Sequence, residues 1–503
     1  MQSAPRNDRY DVVVVGGGMG GLVTAGLLAK AGRSVLVLEA EEAPGGFTRS
    51  FRSHGLHFDV ADHIVMGCNR DGPWGEGILH QVLSSLGVLD QVSFYQVDPF
   101  YAFQFKGQRF VLPARLDSHI EALISYFPDE AAGIRGLFEL YTRMLRESLE
   151  MPIQLRLRDL LMMPWRWKLT YRLRKTTLAA LFDQYVKDPD LCAVHTALWP
   201  YLGLPASRAS ALAWGSMMAS YLGEGTFCCE GGFQHLPDAL VKGLERHGGE
   251  FLGGEPVREI TVARQTVRVV KTASGAEFCA PLVVVNIDPR TALGPMLRGA
   301  TLPGRYRRRL EQGEVSDSAY AIYAGCNLSL DRERLAHETV VMEGDSEYSY
   351  YCSQSGSPAG VIVTTPTLSD DSRTSGADHT VVIKALCPAQ LTARSEEKAA
   401  ARMLELAEQA IPGFRDSVTY VHGRTETRPW PLFRVGPMYG WAMTPKQLGS
   451  YRLPHKTPIE GLWLAGHWTQ PAAGVWGAAA SGIGLARMLL DLAPHQPLSP
   501  ILL

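Results

Sequence analysis

The sequence predicts an α/β protein: a parallel-sheet domain assembled from separated segments, with an α+β domain inserted into it. Three observations carry this. A β-branched strand near the N-terminus runs into a glycine-rich turn and a helix. Near the C-terminus an apolar strand, a glycine turn and a small-residue helix follow one another. Between them lie long stretches of different pattern, in a chain whose 503 residues exceed what one hydrophobic core accommodates.

Residues 10–15 form the first strand, a β-branched run suited to a buried parallel position. Gly16, Gly18 and Gly21 then satisfy G-x-G-x-x-G, with Gly20 inside the same turn, and a helix is expected over 22–30. A second apolar strand, 34–38, stops at Glu39, 18 residues past Gly21. Each part has a physical task in a Rossmann-like unit. The first glycine makes the tight turn, the second lets the backbone approach a diphosphate, and the third lets helix and strand pack closely. The helix N-terminus supplies amide donors, and the acid accepts hydrogen bonds from a ribose. Strand, turn, helix, strand and acid in this order identify a dinucleotide site where an isolated glycine motif would not.

Three further segments extend the pattern. Glu39-Ala40 is followed by the doublet Gly45-Gly46 and Phe47. Residues 230–240 lead into a helix, and strands are expected over 255–260, including Val257, and over 267–272 and 278–285 on either side of a Ser274-Gly275 turn. Residues 459–471 form an apolar strand ending in Gly466-His467, and a small-residue helix begins near Gly474-Val475 and runs to about 492. Small residues at a helix start let amides approach an anionic or electron-rich group.

Together these segments resemble the amine oxidase superfamily of flavoproteins, and in detail its phytoene desaturase and carotenoid isomerase branch. The resemblance implies a GR2-type fold that binds FAD. It places Gly16, Gly18, Gly20, Gly21, Glu39, Ala40, Gly45, Gly46 and Phe47 on the N-terminal side of the cofactor. Val257 is expected at the adenine, Gly466 and His467 near the ribitol and diphosphate, and Gly474 and Val475 near the flavin ring. Three departures stand out. Many members carry Asp where this chain has His467, amine oxidases carry Arg where it has Phe47, and Ala61-Asp62-His63 replaces glycine and small residues. The implied FAD domain comprises 1–75, 223–300 and 423–503, and the substrate domain 76–222 and 301–422. No second glycine fingerprint opens a nucleotide unit, so electrons are expected to leave to oxygen or a quinone.

The first insertion is helical in pattern. Within it, 155–178 carries Arg156, Arg158, Arg166, Lys168, Arg172, Arg174 and Lys175 interleaved with tryptophans and aliphatics. That composition suits a helix at an anionic membrane surface, or an amphipathic helix packed on the core. In the second insertion Tyr348, Tyr350 and Tyr351 could wall a substrate tunnel or pack a sheet. Arg428 and Trp430 could reach a substrate entrance or pack beneath the flavin lobe. His63 is the candidate acid or base, since histidine titrates near neutrality, with a structural hydrogen bond as the other reading.

A net charge of −2 and a pI near 6.7 give no general attraction for nucleic acid. Eight scattered cysteines without a CxxC pair suit reduced thiols, and no zinc-protease motif occurs, so no metal is expected. Residues 1–9 are polar and lack the apolar core of a signal peptide, which points to the cytoplasm and leaves peripheral membrane contact open. The sequence thus favours an FAD-dependent desaturase or isomerase acting on an apolar polyene or isoprenoid. An amine or amino-acid oxidase of secondary metabolism is the alternative. A prenyl-binding escort is the third, because Rab escort and GDP-dissociation-inhibitor proteins resemble this fold.

Overall fold

Val12–Val15 is the central strand of a five-stranded parallel sheet that draws on both ends and the middle of the chain. The order is Leu462–Leu464, Leu282–Val285, Val12–Val15, Val35–Leu38, Glu250–Leu252. The central strands are covered on both faces, which is why they read as continuous apolar runs rather than alternating ones. This computed structural model describes residues 8–61, 64–152, 155, 157–330, 335–374, 378–387 and 391–492.

The helix Met19–Lys30 starts inside the glycine run, three residues before the expected position, and packs along the helix Gly474–Leu489. The two approach so closely that a Cβ at Gly482 would lie 2.7 Å from the Gly20 carbonyl oxygen. Beside the parallel sheet sits a four-stranded one, ordered Glu277–Cys279, Thr266–Thr272, Val257–Ala263, Leu297–Arg298. The single strand expected over 278–285 is therefore two. It divides around Ala280-Pro281, where proline offers no amide to a ladder, and its halves join different sheets.

The inserted regions build one eight-stranded sheet. Its path is Val418–Val421, Ser318–Cys326, His379–Cys387, Gly360–Thr364, Glu338–Met342, Tyr101–Phe105, Gln108–Leu112, and Phe433–Val435 also pairs with Ser318–Cys326. The boundary drawn at 422 thus falls inside this sheet. One face, with Ile322, Val341, Val363 and Ile383, packs against Met403, Leu406 and Ala407 of the helix Ala393–Ala410. The other face turns toward Leu56 and Phe58, with Ala321, Tyr323 and Val382 packed against them. The lobes are pinned by a buried ion pair, Arg373 Nη2 to Asp59 Oδ2 at 2.7 Å. Asp59 Oδ1 also accepts from Ser50 Oγ (2.6 Å) and the Phe233 amide (3.0 Å).

Two local expectations change. Region 155–178 is not one helix but two short ones, Leu157–Arg166 and Lys168–Leu173, broken at the fully buried Trp167; Arg156 lies outside the described residues. Tyr348, Tyr350 and Tyr351 sit on a helix, Ser346–Gln354, whose start is capped by Asp345 accepting from the Tyr348 amide at 2.9 Å. Tyr348 and Tyr351 face solvent, and Tyr350 packs against Trp199 and accepts from Arg208. None of the three lines a tunnel.

Candidate functional site

The segments expected at the cofactor converge on one groove. At one end of the groove Gly16 adopts φ 103°, and its carbonyl accepts from Asn286 Nδ2 at 3.2 Å. The Gly45 amide donates to the Gly17 carbonyl at 2.8 Å, and Gly18 and Gly45 form a parallel bridge, so the doublet Gly45-Gly46 lies beside the glycine turn. Glu39 is held at the end of its strand by the Gly17 amide (2.6 Å) and the Glu41 amide (3.0 Å), with its carboxylate still half exposed. Glu255 donates its amide to the Glu39 carbonyl at 2.8 Å, which brings the segment leading to Val257 alongside Glu39 and the exposed Ala40.

From the far end of the chain, Gly466 closes on Gly20. A Cβ at Gly20 would lie 2.5 Å from the Gly466 Cα, so nothing larger than glycine fits. The Gly466 amide donates to Ser481 Oγ at 2.9 Å. Phe47 and His467 stack with ring centroids 5.4 Å apart. Gly474 and Val475 open the last helix, and nothing lies within 4 Å of where a Gly474 Cβ would point. Neither this helix nor Met19–Lys30 is capped by a side chain at its start. Two uncapped helix starts, a glycine cradle and a terminal carboxylate fit a dinucleotide with an electron-rich ring.

Arg452 is a contributor that sequence reasoning missed, because no motif surrounds it. Fully buried, it donates to the carbonyls of Thr469 (3.1 Å), Tyr439 (3.1 Å), Trp441 (3.4 Å) and His467, tying the loop after Gly466 to residues 439–441. Burial pushes its guanidinium down to about 9. Burial, with the nearby Arg452 charge, pushes His467 down to about 3. His467 is therefore a neutral aromatic wall beside Phe47 and not a cation.

The groove opens into a cavity of about 740 Å³, within the range of small-molecule sites. Ile64, Met66, Ala472, Gly474, Val475 and Trp476 line it around the start of the last helix. The large sheet contributes Ala319, Ile362 and Leu386, and the helical insertion contributes Met144, Leu145, Leu212 and Met217. Leu149, Leu160, Tyr171 and Tyr451 stand at the solvent end, each substantially exposed. Polar side chains interrupt this lining, among them Tyr201, Glu224, Glu338 and Lys384. Burial pushes Glu224 up to about 7. Glu338 and Lys384 escaped notice in the sequence because each lies inside an apolar strand pattern.

His63 lies outside the described residues, as does Asp62; Ala61 and Ile64, which flank that pair, both line the cavity. Arg428 and Trp430 do not reach it. Arg428 pairs with Glu396 at 3.2 Å on the surface, and Trp430 packs toward Phe414 beneath the helix Ala393–Ala410.

The family described as flavin containing amine oxidoreductase matches residues 19–490. The chain belongs to that family. It is a flavin-dependent oxidoreductase whose cofactor is FAD. The chain is 26% identical to the chloroplastic prolycopene isomerase of Arabidopsis thaliana, over 96% of this chain and 83% of the isomerase. It is 28% identical to the all-trans-retinol 13,14-reductase of Macaca fascicularis, over 54% of this chain and 44% of the reductase. Among solved structures, an oxidoreductase from Methanosarcina mazei shares the fold with a TM-score of 0.63 and 18% identity, covering 94% of this chain and 99% of that one.

Proposed function

We propose that this flavoprotein desaturates or isomerises a long apolar polyene or isoprenoid that it takes from a membrane surface. One observation carries the reading: the cavity is continuous from the start of the last helix, at Val475 and Trp476, to a mouth beside an exposed apolar patch. On that patch Leu157 is 74% exposed, Leu161 64% and Trp165 67%, and the exposed Arg158, Arg166, Lys168, Arg172 and Lys175 are interleaved with them along residues 157–175. Large apolar side chains left in water among exposed cations suit the interface of an anionic bilayer. The protein would then be peripheral on the cytoplasmic side, and an apolar substrate would pass into the cavity without crossing water. The similarity to a prolycopene isomerase and a retinol reductase supports the same substrate class.

Within this reading Gly16, Gly18, Gly20, Gly21, Gly45 and Gly46 bring backbone to the diphosphate, and Glu39 and Ala40 meet the ribose. Val257 meets the adenine. Phe47, Gly466 and His467 flank the ribitol, and the amides of Gly474 and Val475 face the ring. When bound, the flavin supplies hydride acceptance or donation. The chain's own side chains align the polyene against that face and keep water out. Oxygen or a quinone takes the electrons if the net reaction is an oxidation.

The test is an anaerobic spectrum of the purified holoenzyme with a lycopene-type polyene in vesicles, followed at the flavin band near about 450 nm. Bleaching, with a more conjugated product after oxygen is readmitted, establishes desaturation. Geometric isomers that form only after chemical prereduction establish isomerisation. No change in either polyene or flavin overturns the reading.

A further inference from the structure

One wall of the cavity is drawn from a single helix, Ala211–Glu224. Leu212, Ser216, Ser220 and Glu224 all line the chamber, and their four-residue spacing puts them on one helix face. Trp214 and Met218 lie fully buried on the opposite face. The helix thus carries a stripe into the chamber that begins apolar, passes two hydroxyls and ends on an acid.

That acid stands close to the start of the last helix. The Glu224 carbonyl accepts from Asn69 Nδ2 at 2.9 Å, and two residues before Asn69 a Cβ on Gly67 would lie 3.4 Å from Trp476 Cδ1. Trp74 closes over Gly223 and leaves no room there for a Cβ, so an indole covers the end of the stripe. Ser220, one turn back, donates its hydroxyl to the Glu224 carboxyl. No cation faces that carboxyl among the described residues; the titratable group beside it is the Cys68 thiol, which burial pushes well above its usual range and keeps neutral. Burial pushes Glu224 up to about 7, against the Ser220 hydroxyl. A group poised there takes up and releases a proton readily. Two other acids line the chamber among the described residues, and both are engaged. Glu338 is held by Tyr201, Thr364 and Lys384, and the exposed Glu76 pairs with His80.

We infer that Glu224 is the base of a dehydrogenation carried out in this cavity. The inference rests on the polyene reading above, with the flavin ring at Gly474 and Val475, and narrows it to desaturation. One carbon of a CH–CH unit gives its hydrogen with the bonding pair to the flavin. Its neighbour gives its hydrogen as a proton to the Glu224 carboxylate, and the pair left behind becomes the second bond of C=C. Glu224 ends as a neutral carboxyl and the cofactor ends reduced by two electrons. A redox-neutral isomerisation releases no proton and needs no such base.

The experiment is anaerobic single-turnover bleaching of the holoenzyme by phytoene and its partly desaturated derivatives, in phosphatidylcholine–phosphatidylglycerol vesicles, as a function of pH. The wild-type rate should rise with pH through about 7, because the base must be ionised to act. Glu224→Gln keeps the shape of the side chain. It should retain flavin and bind polyene as wild type does, yet bleach at least about 100-fold more slowly and without that rise. Ser220→Ala removes a hydrogen bond to the ionised form and should move the profile to higher pH. A readout independent of turnover is the infrared carbonyl band of a protonated carboxyl. It should grow as the polyene-free protein is acidified through about pH 7 and be absent from Glu224→Gln. Four results overturn the inference and leave the polyene reading standing: Glu224→Gln bleaching at the wild-type rate, a profile that Ser220→Ala leaves unmoved, an infrared band that survives Glu224→Gln, or isomerisation without bleaching. A wild type that neither binds nor converts any of these polyenes overturns both.

Discussion

Around Gly20 and Gly466 the chain has no room for one methyl group, whereas between Val475 and the helix Ala211–Glu224 it leaves about 740 Å³ of space. The groove is made of backbone meeting backbone, with glycine wherever two strands of chain touch. The cavity is made of side chains, many of them methionines, converging from several helices and a sheet. A dinucleotide is a rigid, charged ligand that amides must approach closely. A flexible apolar one needs only volume and adaptable walls. The first is specified by forbidding atoms, the second by where large residues happen to stop.

The largest effect should come from adding atoms to the groove. Gly20→Val drives side-chain carbons into the Gly466 backbone and Asn286 Oδ1. It should reduce FAD retention by roughly 100-fold or more, since each 1.4 kcal/mol of lost affinity is tenfold. The check is the flavin-to-protein absorbance ratio after gel filtration, and a flavin-replete variant would break the contrast between a closed groove and an open cavity.

The joint between the two regions should come next. Arg373→Met leaves Asp59 buried without its cation and should cost about 3–5 kcal/mol in denaturant unfolding, while Arg373→Met with Asp59→Leu recovers most of it. Burial would raise the Asp59 carboxyl, but Arg373, Ser50 and the Phe233 amide together hold it below the usual range. A carboxyl depressed by folding contributes stability in full above its unfolded pKa, and that contribution is lost as pH falls through the folded value. The gap between wild type and Arg373→Met should therefore narrow on acidification below about pH 4.

The smallest effect on the fold should come at the cavity's mouth. Leu161→Glu with Trp165→Glu removes exposed apolar surface, so unfolding stability should move by no more than about 0.5 kcal/mol. Affinity for anionic vesicles should drop by roughly 100-fold or more, since two large side chains each lose about 1.5–3 kcal/mol of burial and each 1.4 kcal/mol is tenfold. Unchanged pelleting would sharpen the comparison differently, making the mouth an aqueous entrance.

Legibility followed the same divide. The groove could be read because its chemistry is local: a strand, three spaced glycines, a helix and Glu39 occupy about thirty consecutive residues, and the last helix repeats the device. Errors arose where local pattern was ambiguous. The run Tyr348, Tyr350, Tyr351 reads equally as a tunnel wall or as sheet packing, yet Asp345 caps it into a helix. Region 155–178 reads as one amphipathic helix, but burying Trp167 breaks it in two.

By itself the sequence determined the parallel-sheet lobe, its glycine-lined groove and the family resemblance, since those depend on backbone conformations that only particular residues permit at particular spacings. The tertiary structure decided the rest. Glu338 faces Lys384 across 46 residues, Asp59 meets Arg373 across 314, and Arg452 gathers four carbonyls from two loops. Such pairings arise from strand register and lobe packing, and a buried charge's partner is chosen by distance in space, which spacing along the chain does not encode.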